Sequence, residues 1–242
     1  MRVVTYNVHS CVGVDRKHSP ERVADVLAGL RPDVVALQEV DLGGRRSRGR
    51  DQAAEIAVRL GMDLHFQPSR TIRGGFYGNA VMSKYPVRLM RAGLFRPLPA
   101  LERRGAMWVL IDTPLGPVHL VNTHLGLLRR ERLGQLRELM GEGWLGHAEL
   151  SGPILLAGDF NSTPRSPEYR RLTSRLADAT GATAVRTYPG RAPLWQLDHL
   201  FGCARLRPTA VEVPRCALAR TASDHLPLLV EFTGSGPAAG SA

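Results

Sequence analysis

Cysteine and lysine are scarce in this 242-residue chain, and long apolar runs are missing from it. The three cysteines, Cys11, Cys203 and Cys216, share no metal-finger spacing. An odd, sparse set of this kind argues against a disulfide framework and for a reducing compartment. No apolar run approaches the roughly 18–20 residues that a membrane span needs. Met1 and Arg2 lead straight into Val3 and Val4 without the charged leader, apolar core and cleavage site of a signal peptide. A cytoplasmic location is therefore expected. Acidic residues are outnumbered, 22 Asp and Glu against 32 Lys and Arg, for a formal net charge of +10. That excess fits a polyanionic partner: nucleic acid, an anionic lipid surface or a phosphorylated metabolite. Yet only Lys17 and Lys84 are lysines, and an arginine-rich skew is also what a GC-rich genome writes. Charge alone identifies no partner.

The pattern of what is present reads as strands mixed with helices. Val3 to Val8 alternates as a strand. Ser19-Pro20-Glu21 opens a helix, with Ser as N-cap and Pro in the first turn; Val23, Val26, Leu27 and Leu30 follow at helical spacing, and Pro32 stops it. Asp33 to Leu37 is a short buried strand that delivers Gln38 and Glu39. Gln52 to Leu60 is a second amphipathic helix closed by Gly61. Asn79 to Ser83 reads as a strand. Met107 to Asp112 and Val118 to Thr123 flank the hairpin signal Pro114-Leu115-Gly116-Pro117. Glu131 to Leu145 and Pro167 to Leu176 read as helices. Ile154 to Ala157, Leu197 to Phe201, Thr209 to Val213 and Leu226 to Phe232 read as strands. Together they predict stacked β-sheets covered by helices. One domain is expected over residues 1–232, with 233–242 a disordered tail, and a monomer.

Polar residues at the ends of apolar strands carry the chemistry, because a strand end holds a side chain rigidly beside a cleft. They are Asn7, Glu39, His124, the pair Asp159 and Asn161, and the pair Asp224 and His225, with Asp198 in a further apolar setting. Each alone has a plain reading as a turn, a cap or a solvated strand end. Together they make a consistent chemical set. Carboxylates and amides are hard oxygen ligands suited to Mg²⁺ or Mn²⁺, and no thiolate in the set suggests structural zinc. An aspartate paired with a histidine can make a general base. A second histidine and an amide can hold a phosphoryl oxygen. Arg45, Arg46, Arg48 and Arg50 follow closely on the Glu39 strand end, and at least one is expected to reach a substrate phosphate, with Arg48 taken as its representative.

These residues resemble the endonuclease/exonuclease/phosphatase superfamily, the group that contains DNase I. The matching words are Thr5-Tyr6-Asn7-Val8, Leu37-Gln38-Glu39-Val40, Gly78-Asn79-Ala80, Asn122-Thr123-His124-Leu125, Gly158-Asp159-Phe160-Asn161, Leu197-Asp198-His199 and Ser223-Asp224-His225, in family order over nearly the whole chain. The resemblance implies an α/β fold: a four-layer α/β-sandwich of two packed mixed sheets flanked by helices. It implies a phosphodiesterase or phosphatase using Mg²⁺ or Mn²⁺ and in-line attack of water. Glu39 would be the main metal ligand, with Asn7 and Asp224 binding directly or through water. Asp159 would orient or activate the water, Asn161 would hold a phosphate oxygen, and His225, oriented by Asp198, would be base or phosphate binder. Asn79 would contact substrate. A histidine at His124 is similar to the DNase I, sphingomyelinase, phosphoinositide-phosphatase and deadenylase branches, whereas abasic-site endonucleases carry tyrosine there. The substrate would be nucleic acid, phospholipid or another small phosphodiester. The alternative is a non-catalytic nucleic-acid or anionic-membrane binder on the same fold.

Overall fold

The computed structural model describes residues 1–72 and 74–234. It is a four-layer α/β-sandwich built on two six-stranded mixed sheets. The first sheet contains β1 (Arg2–Asn7), β2 (Val34–Leu42), β3 (Asp63–Ile72), β4 (Gly75–Ser83), β11 (Leu206–Glu212) and β12 (Leu228–Gly234), in the order β11-β12-β1-β2-β4-β3. The second contains β5 (Val87–Leu94), β6 (Gly105–Thr113), β7 (Gly116–His124), β8 (Ile154–Asp159), β9 (Ala177–Asp178) and β10 (Asp198–Gly202), in the order β5-β6-β7-β8-β10-β9.

Strand alternation builds the layers. Val3, Val34, Ala36 and Val81 of the first sheet pack against Met107, Val109, Leu120, Leu155 and Leu200 of the second. On the outer face of the first sheet, Val4, Tyr6, Val35 and Leu37 pack with helices α1 (Pro20–Leu30) and α2 (Gln52–Leu60) and with α5 (Ala217–Ala222). On the outer face of the second, Trp108, Val121, Leu156 and Phe201 meet α3 (Arg129–Leu139) and α4 (Pro167–Thr173). The helix ends follow their sequence signals. Ser19 accepts from the Arg22 N–H and Asp51 from the Ala54 N–H, and Gly61 closes α2 in the left-handed region.

The same topology gathers the strand ends. Each sheet has one parallel pair at its centre, β1 with β2 and β7 with β8. Parallel strands end at the same edge, so Asn7 sits near the exit of β2, and His124 is in register with Asp159. The antiparallel neighbours β10 and β12 start where β8 and β1 end: Asp198 pairs with Asp159, and Leu228 with Thr5. Six segments thus bring their polar residues to one rim.

The structure departs from the sequence expectations at several elements. Helix α3 ends at Leu139 rather than Leu145, because the chain turns at Gly141, whose N–H bonds Glu138 O. Trp144 and Leu145 still fold back onto the second sheet. The half-exposed strands β3 and β5 carry no clean apolar alternation, and β3 holds Pro68 at a register shift. Thr233 and Gly234, expected in the tail, pair with Arg207 and Leu206 in β11. The rest of that tail lies outside the described residues. Among the described residues no helix is long and apolar enough to cross a membrane.

Candidate active site

Glu39 reaches the rim through a β-bulge. Leu37 pairs with Ala80 and Val40 with Gly78, so Gln38 and Glu39 together face Asn79. Gln38 points between the sheets, where its amide donates to Asn122 Oδ1 at 2.8 Å. Strict alternation would then send Glu39 into the apolar layer under α1 and α2. The extra residue, with Glu39 at φ 61°, turns its carboxylate toward the rim instead and lets Val40 fill the apolar layer. A non-glycine residue at such a φ costs roughly 1–2 kcal/mol, a cost typical of functional positions.

The buried polar side chains form one connected network. Asn7 Nδ2 donates to Glu39 Oε1 at 3.0 Å and to Asp159 Oδ2 at 2.9 Å. Asn7 Oδ1 accepts from the His9 N–H. Asp159 Oδ1 accepts the Asn161 N–H at 2.9 Å. Asn161 Nδ2 donates to Leu125 O at 2.9 Å and lies 3.2 Å from His124 Nε2. His225 Nδ1 is 2.8 Å from Asp198 Oδ2, and its Nε2 lies 3.7 Å from Asp159 Oδ2. The other Asp198 oxygen, Oδ1, is buried with no hydrogen-bond partner among the described residues. Ligand atoms of Asp159, Asp198 and His225 all lie within 4.8 Å of one another.

Burial and neighbours tune these groups. Burial pushes the Asp159 carboxyl up; His225 pulls against that and Asp198 adds to it, leaving it at about 6. Burial would push His225 down, but the charges of Asp198 and Asp159 outweigh it and hold the imidazole up at about 10. His124 moves the opposite way: burial, then the charges of Arg104 and His225, drive it well below the usual histidine range. It is therefore neutral. Arg104 Nη1 lies 3.1 Å from His124 Nδ1. A guanidinium can only donate, so Nδ1 is the acceptor of that contact. The opposite ring nitrogen, Nε2, lies 3.5 Å from Asp159 Oδ2 and 4.0 Å from Glu39 Oε1.

Glu39, His124, Asp159, Asn161, Asp224 and His225 line a cleft of about 480 Å³. Asn7 and Asp198 support it from behind. Tyr188 stands against His225 at 4.8 Å between ring centroids, and His9 Nδ1 lies 3.8 Å from Asp224 Oδ1. Two expected substrate contacts lie elsewhere. Asn79 is buried opposite the bulge, where its amide donates to Gln67 Oε1 at 3.2 Å. Arg48 is exposed at a left-handed turn and does not line the cleft. Its neighbour Arg46 does, held by Asp41 at 2.5 Å, while Arg50 is taken up by Glu21 and Glu55. Tyr77, Arg70, Glu102 and Arg104 also line it, and sequence reading singles out none of them. One signal was available for Arg104. The hairpin pairs Thr113 with Gly116 and therefore Gly105 with His124, which puts the residue before Gly105 beside the histidine.

A sandwich with an Asp–His pair facing a buried aspartate at its rim defines the class. Residues 4–225 match the Endonuclease/Exonuclease/phosphatase family, and the chain belongs to that family. It is 27% identical over 248 residues to the uncharacterized protein YbhP of Escherichia coli (strain K12), covering 96% of this chain and 95% of YbhP. Its fold is similar to an endonuclease/exonuclease/phosphatase from Beutenbergia cavernae, with 25% identity, TM-score 0.74, and coverage of 97% of this chain and 72% of that one. It is also similar in fold to a mannosyl-6-phosphatase of Bacteroides thetaiotaomicron, with 19% identity, TM-score 0.75, and coverage of 96% and 99%.

Proposed function

We propose that this protein is a divalent-metal-dependent phosphoesterase that hydrolyses its substrate by attack of water. The observation that carries this reading is the buried His225–Asp198 pair, 2.8 Å apart, turned toward Asp159 beside two partly exposed carboxylates. A non-catalytic binder on this fold has no use for so costly a buried arrangement.

The donor set fits a hard cation. Glu39 and Asp224 are partly exposed carboxylates of the cleft, and neither has an arginine or lysine within ion-pair distance among the described residues. They would hold Mg²⁺ or Mn²⁺, with Asn7 beside them. When bound, such an ion supplies charge that polarises the phosphoryl group and offsets the clustered acids. Asp159, held near neutral pH in its titration, takes the proton from the attacking water. His225, kept protonated and oriented by Asp198, donates to a phosphoryl oxygen. Neutral His124 and the Asn161 amide hold the other oxygens. The bond from phosphorus to the leaving oxygen breaks on the face opposite the water, and that oxygen is protonated from solvent.

The test is a panel of p-nitrophenyl phosphate, bis-p-nitrophenyl phosphate, plasmid DNA, RNA, sphingomyelin, phosphatidylglycerol and inositol phosphates, each with Mg²⁺, Mn²⁺ or EDTA. Turnover of at least one substrate that EDTA abolishes is expected. No turnover of any, or turnover indifferent to EDTA, overturns the reading.

A further inference from the structure

The cleft holds a group of cations to which the hydrolytic scheme assigns no contact with substrate. Arg46, Arg70 and Arg104 line it around Tyr77. The Arg70 guanidinium lies 5.1 Å from the Tyr77 ring centroid and that of Arg46 lies 5.4 Å from it. The three come from separate parts of the chain: the loop after β2, strand β3, and the residue before β6. Nothing in their local sequence requires them to meet.

Their charges are incompletely matched. Asp41 pairs with Arg46 at 2.5 Å. Glu102 is shared, at 3.6 Å from Arg70 and 3.1 Å from Arg104. Within ion-pair distance two carboxylates therefore serve three guanidiniums, and Glu39 adds its charge to Arg46 and Arg104 from farther off. Arg104 is only 6% exposed, and its Nε is buried with no hydrogen-bond partner among the described residues. An unpaired donor on a buried cation is costly. Like-charged groups that converge on a cleft with spare donors are arranged for an anion.

The position of the group separates it from the reacting centre. Arg104 bonds His124 at Nδ1, while Asp159 lies beyond the opposite ring nitrogen, 3.5 Å from Nε2. An imidazole thus stands between Arg104 and the carboxylate that faces the attacking water. The reacting phosphoryl group belongs against Asp159 and His225, so the arginines serve another part of the same molecule. Asp41 takes the Nε and Nη2 edge of Arg46, and a phosphate suits the donors left over better than a carboxylate does, because its three free oxygens can accept from several guanidiniums at once.

We propose that Arg46, Arg70 and Arg104 form a subsite for a second phosphate, so that the preferred substrate is a small phosphoester carrying two phosphates. This rests on the phosphoesterase reading above and names its substrate class.

The experiment is calorimetric titration, in excess Mg²⁺, of propyl phosphate and of 1,3-propanediol bisphosphate into the full chain. The wild type, Arg70→Gln and Arg70→Lys are compared, with p-nitrophenyl phosphate turnover measured in parallel. The bisphosphate should bind the wild type about tenfold or more tightly than the monophosphate, as expected for one additional charge-assisted contact. Arg70→Gln should erase most of that preference and Arg70→Lys should keep part of it. Equal affinity of the wild type for the two ligands overturns the subsite. An equal loss for both ligands in Arg70→Gln also overturns it, by placing the arginines on the reacting phosphate. Bisphosphate preference without any turnover would leave the subsite standing and sink the phosphoesterase reading; turnover without preference would do the reverse.

Discussion

Glu39 sits at a left-handed backbone position on a bulge, with no arginine or lysine within ion-pair distance among the described residues. Its geometry serves the rim rather than the core. Glu39→Gln should therefore keep the fold, with an unfolding midpoint within a few degrees of wild type, while activity at saturating Mg²⁺ falls by roughly 10²-fold or more. Near-normal turnover in the variant would remove Glu39 from the metal site. Asp198 and His225 should behave as one unit. Replacing either, as Asp198→Asn or His225→Gln, should lower kcat by on the order of 10²–10⁴. The double variant should be little worse than the worse single one, because each loses its purpose without the other. Multiplicative losses would show that the two act separately. At this scale the sequence was informative about identity and poor about contact. Asn7, Glu39, His124, Asp159 and His225 were visible as strand-end residues. Arg104 was not, since the second of two adjacent arginines before a strand looks like any solvated arginine until the hairpin register sets it beside His124.

Strands β7 and β8 run parallel under the site, and Gly158 allows their close approach. A Cβ at Gly158 would stand 1.9 Å from the backbone oxygen of Thr123, and the residue has φ +154°. Backbone cannot yield as a flexible side chain would. Gly158→Ala should cost roughly 2–4 kcal/mol by urea unfolding, combining overpacking with backbone strain. It should also lower kcat where the protein is still folded, because Asp159 follows directly. A variant with wild-type stability and activity would show that the two strands can separate freely. Elements with strong local signals were legible: the capped helices α1 and α2, the β6–β7 hairpin and the buried strands. The edge strands β3 and β5 were not. Their exposed faces carry polar residues, so the alternation that marks a half-buried strand is weak, and only pairing with β4 and β6 makes them strands.

Across the whole molecule, the clustered acids set stability against activity. Asp159 and His225 both titrate higher in the folded state than their usual values, at about 6 and about 10. A raised folded value means the native state binds the proton more tightly. Stability from Asp159 is then fully present below its unfolded value near 4 and is lost as pH rises through 6. Stability from His225 is present below about 6.5 and is lost as pH rises through 10. In EDTA, Asp159→Asn should be more stable than wild type at pH 8 by on the order of 2 kcal/mol, with the gap closing below pH 4. Urea midpoints at pH 4, 6 and 8 would check this. A constant gap, or a less stable variant at pH 8, would mean that burial of the charged carboxylate is not what strains the site. The same variant should be inactive, a gain in stability at the expense of function.

The sequence by itself determined the local structure and the chemical kinds: which segments prefer helix or strand, which residues end the buried strands, and that those residues are oxygen and nitrogen donors rather than thiols. These follow from near-neighbour spacing, which the chain carries wherever it folds. Tertiary structure alone decided which of them meet. Asp198 faces His225 rather than its neighbour His199 because β10 pairs with β8 while β12 pairs with β1. Arg46, and not Arg48, enters the cleft because Asp41 holds it there. Asn79 lies under the bulge rather than in the site because two residues of β2 face it. The first joins residues 27 apart in the chain and the last turns on a register shift of one residue. Packing of two sheets against each other sets such contacts, and no local pattern encodes them.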